Sequence, residues 1–345
     1  MSREPALFRF LPKLASSTPW VRLADRTPVG QLTSAGKRRG HSQLFVKRED
    51  RTASLYGGNK VRNLEFILGD AIARKVSRIL TVAPLGSNFV AALAAQASRV
   101  GLDVEVEHFV PARSPQIDTH ANFSAAAGAK LSLHAGRRGA VAAAGAAALR
   151  LMTSEDTLWC APGGSSVTGA LGHLNAALGL VEQVRAGRAA KTRRHRGRRG
   201  NLRHDGGAYR RLAGCGTRHA ARRRSLRRSH RLQRARDREA CEWRSGAGGQ
   251  RRRVLANEIC LVNSPLDHGY GIPLGRAEEL MASFEADEGI RLDTTYTSKV
   301  VSKLAELLTS GEFKGKNILY WHTFSPAAIQ WGKGRVQEGF GFENS

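Results

Sequence analysis

The chain is short of the residues that staple a fold or mark a familiar cofactor loop. Its 345 residues include four cysteines, Cys160, Cys215, Cys241 and Cys260, widely spaced and with no CxxC pair. That spacing argues against a disulfide framework and against a recognisable zinc module. No GxGxxG follows a strand-like run and no GxxxxGK[ST] occurs, so neither a dinucleotide nor a nucleoside triphosphate site is expected. The first residues, Met1 to Pro12, mix Arg3, Glu4, Pro5 and Arg9 and contain no apolar signal core. Two uncharged runs, Ile79–Ser98 and Thr157–Val181, are each broken by a proline–glycine turn and by serines or Asn88. Neither reads as a continuous apolar span. The expectation is a soluble, cytoplasmic protein without a membrane partner and without a metal.

What the chain does have is positive charge, and it is concentrated. The formal net charge is +26, yet residues 185–253 hold 25 Lys and Arg against four acids, leaving only +5 for everything else. All but one of those bases are Arg, and the aliphatic residues larger than Ala are Leu202, Leu212, Leu226 and Leu232. Such a segment cannot bury enough apolar area to offset the entropy of ordering it, so it should not supply a core strand. Three readings stand side by side: an arginine-rich arm binding nucleic acid through its phosphates, a solvated linker, and a stretch translated out of frame. Tyr209 and Trp243 are too few for a stacking platform. His204, Cys215, His219 and Cys241 have poor spacing for a metal site.

On either side of that segment the pattern is regular. Leu44–Arg48 reads as a strand, and Gly57-Gly58-Asn59 opens a helix whose Val61, Leu64, Ile67, Leu68, Ala71 and Ile72 follow a 3.6 period. Residues 77–83 read as a strand, 84–87 as a turn, 88–100 as a helix and 103–110 as a strand, together a βαβ unit that makes the sheet parallel. Helices follow at 114–128 and 140–152, strands at 130–134 and 157–161, a glycine turn at 162–166 and a helix at 167–184. Beyond the basic segment come a strand at 258–262, helices at 276–288 and 299–310, and a closing strand at 317–322. Repeated βα units of this kind imply an α/β fold of two open parallel-sheet domains. Ligands in such sheets sit beyond the carboxyl ends of the strands, at Gly86-Ser87-Asn88, at residues 163–166 and at Thr323. Backbone amides and helix ends there suit anionic groups.

One lysine stands out. Lys60 lies in the first turn of a helix that begins in a glycine turn, where the helix dipole disfavours a protonated amine. Burial would lower its pKa further and make it a nucleophile towards an aldehyde. Alone, a lysine in a first turn reads more simply as a surface residue.

The surroundings carry more. Val46-Lys47-Arg48-Glu49-Asp50 followed by Gly57-Gly58-Asn59-Lys60-Val61-Arg62 resembles the signature of the D-cysteine desulfhydrase / 1-aminocyclopropane-1-carboxylate deaminase family, fold-type II pyridoxal-phosphate enzymes with a tryptophan synthase beta-like architecture. Gly86-Ser87-Asn88-Phe89, Pro162–Ser166 with Gly169 and Gly172, Asp293–Lys299, and Trp321-His322-Thr323 resemble further motifs of that family, in the same order. The resemblance implies that Lys60 carries pyridoxal 5'-phosphate covalently and that Asn59, Asn88, Thr297 and Thr323 are also cofactor-binding. Asn88 would meet the cofactor's phenolic oxygen, Ser87 the substrate carboxylate, and Tyr296 the substrate. Thr297 would lie near the pyridine nitrogen, where the deaminases have a glutamate.

The resemblance further implies a large domain of residues 1–66 and 177–345, a small domain of 67–176 and a homodimer. The expected activity is β-elimination from D-cysteine, because a neutral Thr297 leaves the ring nitrogen unprotonated. Ring-opening deamination of the cyclopropane amino acid is the alternative within the family. The alternative outside it is a non-catalytic remnant with a nucleic-acid-binding arm. Departures are visible: Phe89 replaces a histidine, and Phe324 and Ser325 replace two glycines. The family's phosphate-holding loop would fall close to residue 198, inside the basic segment, with no apolar strand before it. No phosphate role is carried onto Gly197, Gly200, Gly214, Gly216 or Thr217. A large-domain sheet missing that strand would be unstable and its activity impaired.

Overall fold

The computed structural model describes residues 4–110, 115–136, 138–187, 241–244, 251–254 and 275–334. The expected strand at 258–262 and the expected phosphate position near 198 lie outside these residues.

A four-stranded parallel sheet forms one body. It runs in the order β5 (Lys130–His134), β4 (Asp103–Phe109), β3 (Arg78–Pro84), β6 (Thr157–Trp159). Period-two alternation along β3 sorts its side chains. Ile79 and Ala83 join a core with Leu64 and Leu68 of α3 (Lys60–Ala73), Phe89 and Leu93 of α4 (Asn88–Ser98), and Phe123 of α5 (Pro115–Ala126). Leu80 and Val82 point to the other face, where Ala143 and Ala147 of α6 (Gly139–Thr153) cover them. Each fully buried aliphatic side chain removes apolar area worth about 1.5–3 kcal/mol, so both faces hold the sheet.

The second body is a three-stranded sheet in the order β1 (Val29–Gln31), β2 (Leu44–Arg48), β9 (Ile318–His322). β2 and β9 are parallel, whereas β1 joins β2 antiparallel, an edge strand not foreseen from the sequence. Leu44, Val46, Ile318 and Tyr320 pack on Phe284 of α8 (Gly275–Glu288) and on Val301, Leu304 and Leu308 of α9 (Thr297–Thr309). Phe45 and Leu319 face Leu180 of α7 (Val167–Arg185). Short helices α1 (Ala6–Phe10), α2 (Thr33–Arg38) and α10 (Ala327–Gly334) were also unforeseen. Within the arginine-rich segment, β7 (Cys241–Arg244) and β8 (Arg251–Val254) pair antiparallel with each other.

α3 and α7 pack closely between the two sheets. The carbonyl of Arg62 lies where a β-carbon on Gly172 would stand, at 1.8 Å. No helix among the described residues is long and apolar enough to cross a membrane.

Candidate functional site

Lys60 is the first residue of α3, and its first turn is held by carbonyls from elsewhere. Gly58 N–H donates to Glu49 O at 2.7 Å and Asn59 N–H to Thr323 O at 3.1 Å. The residue is half-buried, and its Nζ donates to the Gly163 carbonyl at 3.2 Å. Nζ also stands 6.0 Å from the centroid of the Phe89 ring. Burial pushes the amine below the ordinary lysine range, with the nearby Cys160 opposing. Cys160 is itself buried, and its thiol is pushed up to about 12 by that burial, so it is held protonated and inert.

The bend facing the amine is made of glycine for a reason. Gly163 and Gly164 adopt φ +72° and +71°, the left-handed region. A β-carbon on Gly163 would come within 3.8 Å of Lys60 Nζ, and one on Gly164 within 2.9 Å of the Phe89 ring. Gly163 thus faces the amine, while Gly164 lets the bend pack against Phe89, Ile67 and Asn63. Asn63, one turn after Lys60, reaches the Gly164 carbonyl through Nδ2 at 3.4 Å and leaves Oδ1 buried without a partner.

Ser87 occupies the N-cap position of α4, but its hydroxyl makes no capping hydrogen bond. Its oxygen therefore stays available to a ligand. Asn88, the first residue of α4, accepts from the Tyr56 hydroxyl at 3.5 Å. Thr323 meets the site through its backbone, as the acceptor for Asn59. Ser325, where a glycine was expected, accepts from Gly57 N–H at 3.1 Å, so this departure braces the same turn.

Tyr296 and Thr297 form a second group, gathered around buried Asp293 at the start of α9. Asp293 accepts from Tyr296 N–H at 3.1 Å and from Thr297 N–H at 2.7 Å, and it also takes the Thr297 hydroxyl. The Thr297 oxygen accepts in turn from Asp293 N–H at 2.7 Å. The hydroxyl expected near a ring nitrogen therefore has its proton committed to a carboxylate. On the adjoining strand, Tyr320 hydroxyl and His322 Nδ1 lie 3.0 Å apart. Burial pushes the Tyr320 phenol well above its usual range, with Asp293 and Asp50 adding to it. It holds His322 down to about 4, so this histidine is neutral, as a strand-end packing residue.

The structure thus joins Lys60, Asn59, Thr323 and the turn ending at Phe89, and it sets Tyr296 and Thr297 around Asp293 at the neighbouring strand end. Sequence reasoning missed Cys160, Asn63 and the Gly163 carbonyl, whose roles appear only when strands distant in sequence are adjacent. The lysine end fits a pyridoxal phosphate: an amine of lowered pKa lies at the Gly163 carbonyl and beside Phe89, two residues after a serine whose hydroxyl makes no capping hydrogen bond.

Comparison with known proteins agrees. Residues 22–191 match the family described as "Pyridoxal-phosphate dependent enzyme". A Pyrococcus furiosus protein named "Putative 1-aminocyclopropane-1-carboxylate deaminase" is 45% identical over 94 residues, 26% of this chain and 28% of that protein. A Pyrococcus horikoshii protein of the same name is 36% identical over 104 residues, 29% of this chain and 30% of that protein. The chain thus aligns with less than a third of the length of these relatives. A crystal structure described as an "ACC deaminase homologue" superposes with a TM-score of 0.64 over 96% of this chain and 99% of that one, at 21% identity. That likeness establishes the α/β architecture of fold-type II, tryptophan synthase beta-like enzymes. Over residues 22–191, just under half of its length, the chain is similar to the pyridoxal-phosphate-dependent enzymes.

Proposed function

We propose that the chain is a lyase or deaminase of the 1-aminocyclopropane-1-carboxylate deaminase / D-cysteine desulfhydrase kind, acting on a small amino acid with Lys60 as the cofactor-bearing residue. The observation that carries this is the amine of half-buried Lys60, lowered in pKa by burial and set 3.2 Å from the Gly163 carbonyl beside the Ser87–Phe89 turn. Pyridoxal phosphate, when bound, supplies an electron sink for the α-carbon of an amino acid. Lys60, its amine pKa lowered by burial, would be the residue that holds the cofactor, and its Nζ is the group that would hold the substrate's α-proton. Asn59, Asn88 and Thr323 would line the cofactor, Ser87 Oγ would bind the substrate carboxylate, and Tyr296 would face the substrate. Thr297 would lie near the ring nitrogen.

The names of the two archaeal relatives support ring-opening deamination of 1-aminocyclopropane-1-carboxylate as the first reaction to test. The second reading, β-elimination from D-cysteine, rests on Thr297, whose proton goes to Asp293 and is not offered to the ring. A division at 66/67 and 176/177 and a homodimer belong to the same proposal. Titrating the purified chain with pyridoxal phosphate tests it. A visible absorbance band that Lys60→Ala abolishes is expected, followed by ammonia release from the cyclopropane amino acid or sulfide release from D-cysteine. An identical band in Lys60→Ala refutes the assignment.

A further inference from the structure

Glu49 belongs to the motif that precedes the glycine turn, yet the reading of Lys60 gives it no task. It is fully buried. Its carboxylate accepts from Arg62 Nε at 2.8 Å and from the Thr27 hydroxyl at 2.7 Å, with an Arg62 terminal nitrogen at 3.4 Å. Its carbonyl accepts from Gly58 N–H at 2.7 Å and from the Thr52 hydroxyl at 2.9 Å. One residue therefore grips the chain two positions before Lys60 with its backbone and two positions after it with its side chain. The rest of Arg62 is equally committed, donating to Asp25 O at 3.0 Å while its own carbonyl abuts Gly172. Lys60 Nζ has the Gly163 carbonyl as its hydrogen-bond acceptor among the described residues. The place of the amine is therefore set by the frame around the first turn of α3 more than by its own contacts.

We propose that Glu49 is a positioning residue for Lys60, acting through the Arg62 guanidinium and the Gly58 amide to hold the lysine in its pocket. This rests on the reading of Lys60 as the cofactor lysine. Removing the carboxylate leaves Arg62 and the neighbouring Lys47 as buried, uncompensated cations. Their relaxation turns the first helical turn outward. Displacement of a reacting group by about 1 Å costs up to about a hundredfold in reactivity.

Wild type, Glu49→Gln, Arg62→Lys and Leu80→Ala full-length chains test this. Leu80 is buried on the far face of the four-stranded sheet, and its truncation serves as a destabilised control. Three quantities are measured: the urea midpoint, the half-saturation for pyridoxal phosphate followed by absorbance, and the rate at which acetic anhydride labels Lys60 without cofactor, read by peptide mass. Glu49→Gln is expected to label about tenfold faster at Lys60 and to need about tenfold more cofactor. Leu80→Ala is expected to lose stability while keeping both values of the wild type. Arg62→Lys keeps the charge pair but loses the contacts to Asp25 and Thr27, and is expected to label about threefold faster.

Wild-type labelling in Glu49→Gln overturns the proposal, as does a control that labels as fast as Glu49→Gln. Should Glu49→Gln not fold, Arg62→Lys decides, and a wild-type rate there is the refuting result. A wild type with no lysine-dependent band defeats the cofactor reading alone, because the labelling ratio still judges Glu49.

Discussion

Two helices of the molecule are rich in the same small residues, and glycines inside them meet opposite surroundings at Gly169 and Gly172 on one side and Gly145 on the other. α6 and α7 both carry glycine within the helix, at a cost of roughly 1 kcal/mol each relative to alanine. In α7, Gly169 and Gly172 face backbone: a β-carbon would stand 2.2 Å from Gly164 O and 1.8 Å from Arg62 O. In α6, a β-carbon on Gly145 would meet nothing within 4 Å. The polar anchors differ likewise. Gln183 of α7 is buried and binds Lys47 and Thr27, whereas Arg150 of α6 reaches Glu105 and Glu107 from a half-exposed position. One helix is seated against the turn that carries Lys60, and the other covers a sheet with its outer side left to solvent, as Val141 and Met152 show. Composition does not tell these apart; the neighbour does.

The largest effect is expected at Gly172. Gly172→Ala places a methyl group against the Arg62 carbonyl and the Asn63 amide, both backbone of the first turn of α3. Neither can rotate away, so α7 and α3 must separate. A loss of about 3 kcal/mol in urea unfolding is expected, at the upper end of overpacking costs. A change below about 1 kcal/mol would show that the seam gives way easily, and would erase the contrast with α6.

A smaller effect tests the buried anchor. Lys47 Nζ donates to Thr27 O at 2.6 Å and to Gln183 Oε1 at 2.8 Å. Burial lowers its pKa to about 8, with Glu49 opposing and Arg62 assisting. Below pH 8 the ammonium is charged in both folded and unfolded chains, so the burial cost is present in full. Between pH 8 and 10.5 the folded chain releases the proton while the unfolded chain keeps it, so stability rises with pH. Relative to Lys47→Met, wild type should gain about 2–3 kcal/mol between pH 7 and pH 10.5. A flat difference would mean that the amine is solvated and that α7 is anchored no more firmly than α6.

Much of the fold was legible because its signals are local. The 3.6 period in α3 and the βαβ unit of β3, α4 and β4 lie within short stretches, and the elements begin and end within a few residues of their expected limits. β1 was not legible: three residues with Gly30 at the centre, paired to β2. α1 is five residues long, and its Phe8 packs edge-on at 6.4 Å against Phe66, a partner far along the chain. The site divides in the same way. Lys60, Ser87 and Asn88 sit in motifs that a reader meets in order. The pairing of Glu49 with Arg62 and the closeness of Cys160 to Lys60 exist only after β2, α3 and β6 have been assembled. Thr297 was placed at a ring nitrogen by resemblance, but its tie to Asp293 is set by local backbone geometry that no motif records.

The smallest effect completes the contrast and has the opposite sign. Gly145→Ala adds a methyl group in open space on a helix rich in Ala. The gain is reduced backbone entropy in the unfolded chain, about 0.5–1 kcal/mol, with no native contact needed. The urea midpoint should therefore rise for Gly145→Ala while it falls for Gly172→Ala, from the same chemical change in two helices of similar composition. If Gly145→Ala were destabilising instead, some surface must lie against the outer side of α6 in solution, and the helix would be as closely seated as α7 on a partner that the chain itself does not supply.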